Sequence, residues 1–208
     1  VSLPRCSIPA SMSMTTTSSM SRPSTRAVAL LGQATLVLGF ALATALAAQV
    51  RVPLPFTPVP ITLQTMVVVL SGLCLGATGG ALSQVLYLAL GLCGAPFFAE
   101  TTGVLALTGV RAGYLLGFVP SAALAGWFMA RMRRRHTSLR SWRGLAGLWG
   151  SAFVASLPCL FLGAAWLKFA MGVSWPQAWF MGVMPFLLGD VVKTTLAAAI
   201  AGLLPQKS

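Results

Sequence analysis

The sequence predicts an all-α membrane protein of six transmembrane helices, on three observations. Hydrophobic residues make up 57% of the 208 residues and charged residues only 8%, where a soluble domain carries roughly 25% charged residues. The apolar residues gather into runs that approach or exceed the 20 or so needed to cross a bilayer as a helix. The positive charge, net +12, falls between those runs. Within hydrocarbon a helix satisfies its own backbone hydrogen bonds, so such runs read as helices.

Residues 1–24 are rich in Ser, Thr and Met and lack acidic residues; they read as a disordered tail. A transit peptide shares this composition, and Met12, Met14 and Met20 are alternative starts. The membrane domain is assigned to 25–205. Its first span, 27–49, is ended by Arg51 and by Pro53, Pro55, Pro58 and Pro60, because proline cannot continue a helix. No charged residue occurs from 52 to 99. That stretch holds spans at 61–76 and 78–94, divided by the turn signal GATGG from Gly76 to Gly80. A loop at 95–111 carries Pro96, Glu100 and Arg111. The fourth, fifth and sixth spans are 112–130, 145–171 and 175–204, and Pro158 and Pro185 predict kinks in the last two.

Charge orients these spans. Arg131, Arg133, Arg134, Arg135, Arg140 and Arg143, with His136 among them, lie between the fourth and fifth spans. The positive-inside rule puts that loop in the cytoplasm. Counting spans from it puts the N-terminus, with Arg22 and Arg26, and the C-terminus, with Lys207, on the same side. The segments 50–60, 95–111 and 168–175 then face outward, and Lys168, Trp175 and Trp179 suit the outer interface. Anionic lipid headgroups would attract the basic loop. Nucleic acid is not an expected partner, since its binders carry a basic patch on a polar, soluble fold. Cys6, Cys74, Cys93 and Cys159 form no CxxC pair and His136 is the sole histidine. No metal site or disulfide framework is therefore expected.

Glu100 and Asp190 are the only acidic residues. Asp190 falls near the middle of the sixth span with Lys193 three residues on, so the two share a helix face. Each charge at mid-membrane costs about 2.5–3.5 kcal/mol. They are either a mutually neutralising lock between helices or the polar lining of a ligand cavity. Gln64 is either a ligand contact or a helix-to-helix hydrogen bond. Arg111 and Tyr114 begin the fourth span, as interface anchors or as ligand contacts. No GxxxxGK[ST] phosphate loop, HExxH or GxSxG motif is present, and no catalytic residue is assigned. In the first span, Ala41, Thr44, Ala45 and Ala48 form small-residue rows on one helical side, suited to close helix packing within the protein or against a partner.

The segment VPLPFTPVPITLQT at 52–65 closely resembles the BioY family. The resemblance continues through GALSQVLYLALGLCGAPFFA at 80–99, RAGYLLGF at 111–118 and FLLGDVVK at 186–193, so it covers nearly all of 27–204. Members of this family are the biotin-specific substrate-capture (S) components of energy-coupling factor (ECF) transporters. The resemblance implies a six-helix S-component fold that binds biotin near the outer side, with Asp190 and Lys193 taking part. It also implies a transmembrane coupling subunit and two ATPase subunits as partners, met through small residues of the first helix, here Ala41 and Ala45. Biotin would be the transported ligand, with no cofactor and no enzymatic activity. Gln64, Arg111 and Tyr114 complete the expected binding set. The sequence departs from the family at Glu100, Thr101 and Thr102, where many relatives have a glycine-rich run. It departs again at Val110 and Arg111, where many have Pro-Thr. Glu100 is thus a further candidate contact, a partner of Arg111 or a solvated residue. An S component for another vitamin and a membrane-embedded enzyme are the alternatives.

Overall fold

The computed structural model describes residues 25–98, 103–135 and 141–203. The tail 1–24, Glu100 and residues 136–140 lie outside these segments. The elements in order are α1 (Thr25–Gln49), β1 (Arg51–Val52), β2 (Ile61–Thr62), α2 (Gln64–Leu92), α3 (Leu105–Thr108), α4 (Ala112–Arg134), α5 (Trp142–Met171), α6 (Trp175–Gly182) and α7 (Met184–Leu203). The proline-rich segment stops α1 as expected. It forms a loop closed by a two-residue antiparallel ladder pairing Arg51 with Thr62 and Val52 with Ile61.

Helix α2 is two limbs. Gly76 takes φ 79°, ψ 177°, a conformation that a side chain would strain, and the chain reverses there. Gln64 and Tyr87 are joined by a 2.7 Å hydrogen bond, although 23 residues of straight helix would separate them by about 34 Å. The limbs, 64–75 and 77–92, are the expected second and third spans. With α6 and α7 forming the last span, the protein has the predicted six-helix membrane architecture, and its apolar helices make it a multi-pass membrane protein. A limb of 12 residues rises only about 18 Å, so the first limb does not fill the membrane thickness. The loop between β1 and β2 sits over its short end.

Helix α4 packs against both limbs of α2 and against α5. Its glycines let backbones touch. A Cβ on Gly126 would overlap Gly76 and Ala77, and one on Gly117 would overlap Cys159 on α5. Pro158 does not break α5. Next to it, the Cys159 N–H donates instead to Ser121 Oγ of α4 at 3.2 Å, which satisfies a donor near the proline. In the last span the interruption falls at Val183, where φ is −123° and ψ −53°. Pro185 is only the second residue of α7, a position where its missing N–H is not needed. The expected kink is therefore a break ahead of the proline.

The small-residue row of α1 requires a correction. Ala41, Thr44 and Ala48 are fully buried and Ala45 is 6% exposed, because this side of α1 lies against α2. Thr44 Oγ1 lies 3.5 Å from the side-chain amide of Gln84, which also donates to Ser71 and Ser83 at 3.2 and 3.0 Å. Short side chains let backbones approach within lipid, and here the helix approached belongs to the same chain. Ala41 and Ala45 are not on the surface, so they cannot form the expected docking row.

Candidate functional site

One end of the bundle, opposite Arg131–Arg135, holds a cavity of about 60 Å³. Its polar residues come from three places in the sequence. Thr62 ends β2, and Gln64 and Thr65 begin the first limb of α2 just after it; Arg111 and Tyr114 begin α4; Asp190 and Lys193 lie midway along the last span. Phe98, Phe118, Phe186, Leu115 and Leu160 line the rest. The five residues singled out in the sequence, Gln64, Arg111, Tyr114, Asp190 and Lys193, thus face one space. The sixth, Glu100, lies outside the described residues.

Asp190 and Lys193 sit on the face of α7 turned into the bundle, 1% and 5% exposed. Lys193 Nζ is 3.5 Å from Asp190 Oδ1 and donates to Thr65 Oγ1 at 3.1 Å. Thr65 in turn donates to the same carboxylate oxygen at 3.3 Å. The helix supplies the i, i+3 pair and α2 supplies the hydroxyl that joins them. Asp190 Oδ2 accepts no hydrogen bond from any described residue. Ser156, buried beside it on α5, donates to the Phe153 carbonyl at 2.9 Å, and rotation of its hydroxyl would turn that donor to Asp190. A buried carboxylate oxygen without a donor is costly, on the order of 1–3 kcal/mol or more. Its place on the cavity wall makes it an acceptor for whatever enters.

Two candidates are partly spent within the protein. Tyr87 donates to the Phe97 carbonyl at 3.3 Å, so it accepts from Gln64 Nε2. That fixes the amide orientation and leaves Gln64 Oε1 to accept from Thr62 at 3.0 Å. One amide N–H of Gln64 remains for a ligand. Tyr114 is not an interface anchor. It is 8% exposed, its ring lies where a Cβ on Gly163 would fall, and its hydroxyl donates to the Gly182 carbonyl at 2.7 Å. This bond ties α4 to the end of α6, just ahead of the break at Val183. Tyr114 therefore presents a ring face to the cavity and holds the last span in place.

Arg111 is half-buried at the mouth of α4. Burial first, and then the neighbouring Arg51 guanidinium, lower its pKa from the ordinary value; a guanidinium remains charged nonetheless. At the same end, Lys168 Nζ lies 5.3 Å from the Trp175 ring centroid. Trp175 and Trp179 are exposed, as interface residues would be.

Thr65 and Tyr87 were missed by reasoning from the sequence. Thr65 stands in the ITLQT segment directly after Gln64, and a polar pair at the head of an apolar span was the available signal. Tyr87 had a plainer one: the chain has two tyrosines, and both are buried at the cavity end.

The backbone is similar to the crystal structure of an S-component for biotin from an ECF-type ABC transporter. The TM-score is 0.76 over 84% of this chain and 91% of that one, at 23% identity. Six apolar helices with an enclosed, polar-ended cavity at one end are thus the S-component architecture of membrane proteins. The match to the BioY family model extends over residues 14–207. A probable biotin transporter BioY of Pyrococcus horikoshii is 35% identical over 170 residues, spanning 81% of this chain and 93% of that one. A biotin transporter BioY of Rhodobacter capsulatus is 34% identical over 175 residues, spanning 80% and 88%. The chain belongs to the BioY family.

Proposed function

We propose that this protein captures biotin at the outer face of a bacterial plasma membrane and hands it inward as the S component of an ECF-type transporter. The observation that carries this reading is the buried Asp190 Oδ2, which accepts no hydrogen bond from the described residues and stands with Lys193, Gln64 and Arg111 on the wall of a cavity otherwise lined by apolar and aromatic side chains. Biotin offers two ureido N–H donors and a ureido carbonyl at one end, a carboxylate at the other and apolar atoms between. Asp190 Oδ2 accepts a ureido N–H, a strong bond because the acceptor is charged. Lys193 has three donors; two are engaged by Thr65 and Asp190, and the third meets the ureido carbonyl. The valeryl carboxylate goes to Arg111, which lines the cavity. Gln64 supplies one N–H, and the rings of Phe118, Phe186 and Tyr114 hold the thiophane ring and chain. A single water needs about 10–15 Å³, so a cavity of about 60 Å³ must widen to admit biotin.

Nothing in this reading makes the protein a catalyst, and no cofactor takes part. The sequence has no phosphate loop, so the energy for release comes from partners: a transmembrane coupling subunit and two ATPase subunits. Since Ala41 and Ala45 are buried, the coupling subunit meets other parts of the surface. Calorimetric titration of the purified protein with biotin and a panel of other vitamins tests the ligand. Biotin alone should give a saturable signal; tighter binding of another vitamin, or of none, would overturn the assignment.

Both termini and the arginine-rich end face the cytoplasm in this reading. In a background without native cysteines, Phe56→Cys, at an exposed site of the outer loop, should react with an impermeant thiol reagent in intact cells. Arg135→Cys should react only after permeabilisation. The opposite pattern would invert the orientation.

A further inference from the structure

A furrow of about 430 Å³ runs between the start of α5 and the end of α7, at the arginine-rich end of the bundle. From α5 it is lined by Trp142, Leu145, Ala146 and Trp149, and from α7 by Thr195 and Ala199. The α5 positions are i, i+3, i+4 and i+7, one stripe of a helix. They extend about 10 Å along its axis, from the level of the basic loop into the apolar region. Ala146 and Ala199 are small and exposed, buried Ala198 also lines the furrow, and tryptophans stand at both ends of the α5 stripe. Trp142 is 76% exposed, and the Arg143 guanidinium lies 5.5 Å from its ring centroid. Cation–π contact of this kind holds the charge at the mouth of the furrow. Arg131, Arg134 and Arg135 close α4 at the same end, and Asp190, the acidic residue among the described residues, lines the cavity instead.

We propose that this furrow is a binding site for one anionic phospholipid. Arg143 takes the headgroup phosphate, the arginines that end α4 supply the field that selects negative headgroups, and an acyl chain lies between Trp142 and Trp149. Charge complementarity selects this occupant. A groove that is apolar along its length and cationic at one end matches a molecule with an apolar tail and an anionic head, at the depth where such molecules stand in a bilayer.

The test compares dioleoyl phosphatidylglycerol with dioleoyl phosphatidylcholine. Native mass spectrometry of protein released from detergent counts retained lipids, and thermal unfolding reads their effect on stability. The expected result is retention of phosphatidylglycerol in preference to phosphatidylcholine, with a higher unfolding midpoint. Arg143→Gln should reduce that preference about five-fold, the weight of one basic residue at a membrane surface. Ala199→Trp, which fills the furrow from an exposed lining position, should remove it; Thr195→Phe, also exposed, replaces that variant if it fails to stay monodisperse. Arg133→Gln is the control: it removes one share of the field at the end of α4, but its guanidinium lies toward Cys74 on α2, so the preference should fall clearly less than in Arg143→Gln. Equal retention of the two lipids would overturn the proposal. So would equal losses in Arg143→Gln and Arg133→Gln, which would mean a diffuse surface field. An unaltered preference in the filled variant would overturn it as well, leaving the furrow to bulk lipid or to a protein partner.

Discussion

Asp190→Asn is expected to weaken biotin binding by about 1.5–3 kcal/mol, roughly 10- to 150-fold in Kd, with a smaller loss of thermal stability than Lys193→Met, because Lys193 keeps the Thr65 hydroxyl and the amide oxygen as acceptors. The substitution keeps the shape of the side chain. It removes the charged acceptor and turns one of its two oxygens into an amide donor facing the ureido N–H. Lys193→Met is expected to behave differently. It leaves the Asp190 carboxylate, 1% exposed, with hydroxyls but no cation beside it. Losing one partner of a buried ion pair costs about 3–5 kcal/mol, so this variant should lose thermal stability as well as affinity. The double variant Asp190→Asn/Lys193→Met separates the two effects. With no buried charge left, its unfolding midpoint should recover toward that of the unmodified protein, while biotin binding stays lost. Calorimetry on the three detergent-purified variants reads the affinities and a thermal unfolding assay reads the midpoints. Unchanged affinity in both single variants would reduce the pair to a structural bridge between α7 and α2.

Gly72→Val should be the most destabilising single substitution in the helical scaffold. Gly72 lies where three backbones meet: a Cβ there would overlap the Ala122 carbonyl of α4, and one on Gly80 would overlap Gly72 itself. Neither neighbour is the far end of a flexible side chain, so nothing can swing aside. Overpacking of ordinary cores costs about 1–3 kcal/mol, and backbone-to-backbone overlap belongs at or above the top of that range. Gly32→Val on α1 is the matched control, since nothing lies within 4 Å of a Cβ there; a surface change of that kind stays within about 0.5 kcal/mol. Size-exclusion profiles and unfolding midpoints measure both. A Gly72→Val protein as stable as the control would mean that the hairpin and α4 do not meet as described. Because Gln64 and Thr65 sit at the end of that hairpin, the seam also sets the distance from α2 to Asp190, and partial loosening should lower biotin affinity.

The sequence by itself determined the class of fold, the order of the six spans and a short set of polar residues worth following. Apolar length, proline and charge act on each segment separately, through its partition between water and hydrocarbon, so they can be read without knowing what the segment touches. For the same reason Asp190, Lys193, Gln64 and Arg111 stood out, since each carries an energetic cost in or beside an apolar run. Only the tertiary structure decided which side of each helix faces protein and which faces lipid. It turned Ala41 and Ala45 inward, brought Thr65 and Tyr87 to the site, committed the Tyr114 hydroxyl to Gly182 and moved the last break to Val183. In a soluble protein the hydrophobic pattern marks the inner face of a helix. In a bilayer the surrounding solvent is as apolar as the protein interior, so leucine and alanine carry little signal of inside or outside. What selects the inner face is steric fit between backbones, as where Gly72 meets Ala122 and Gly163 meets Tyr114, together with hydrogen bonds between distant polar groups, and both exist only once the helices are assembled.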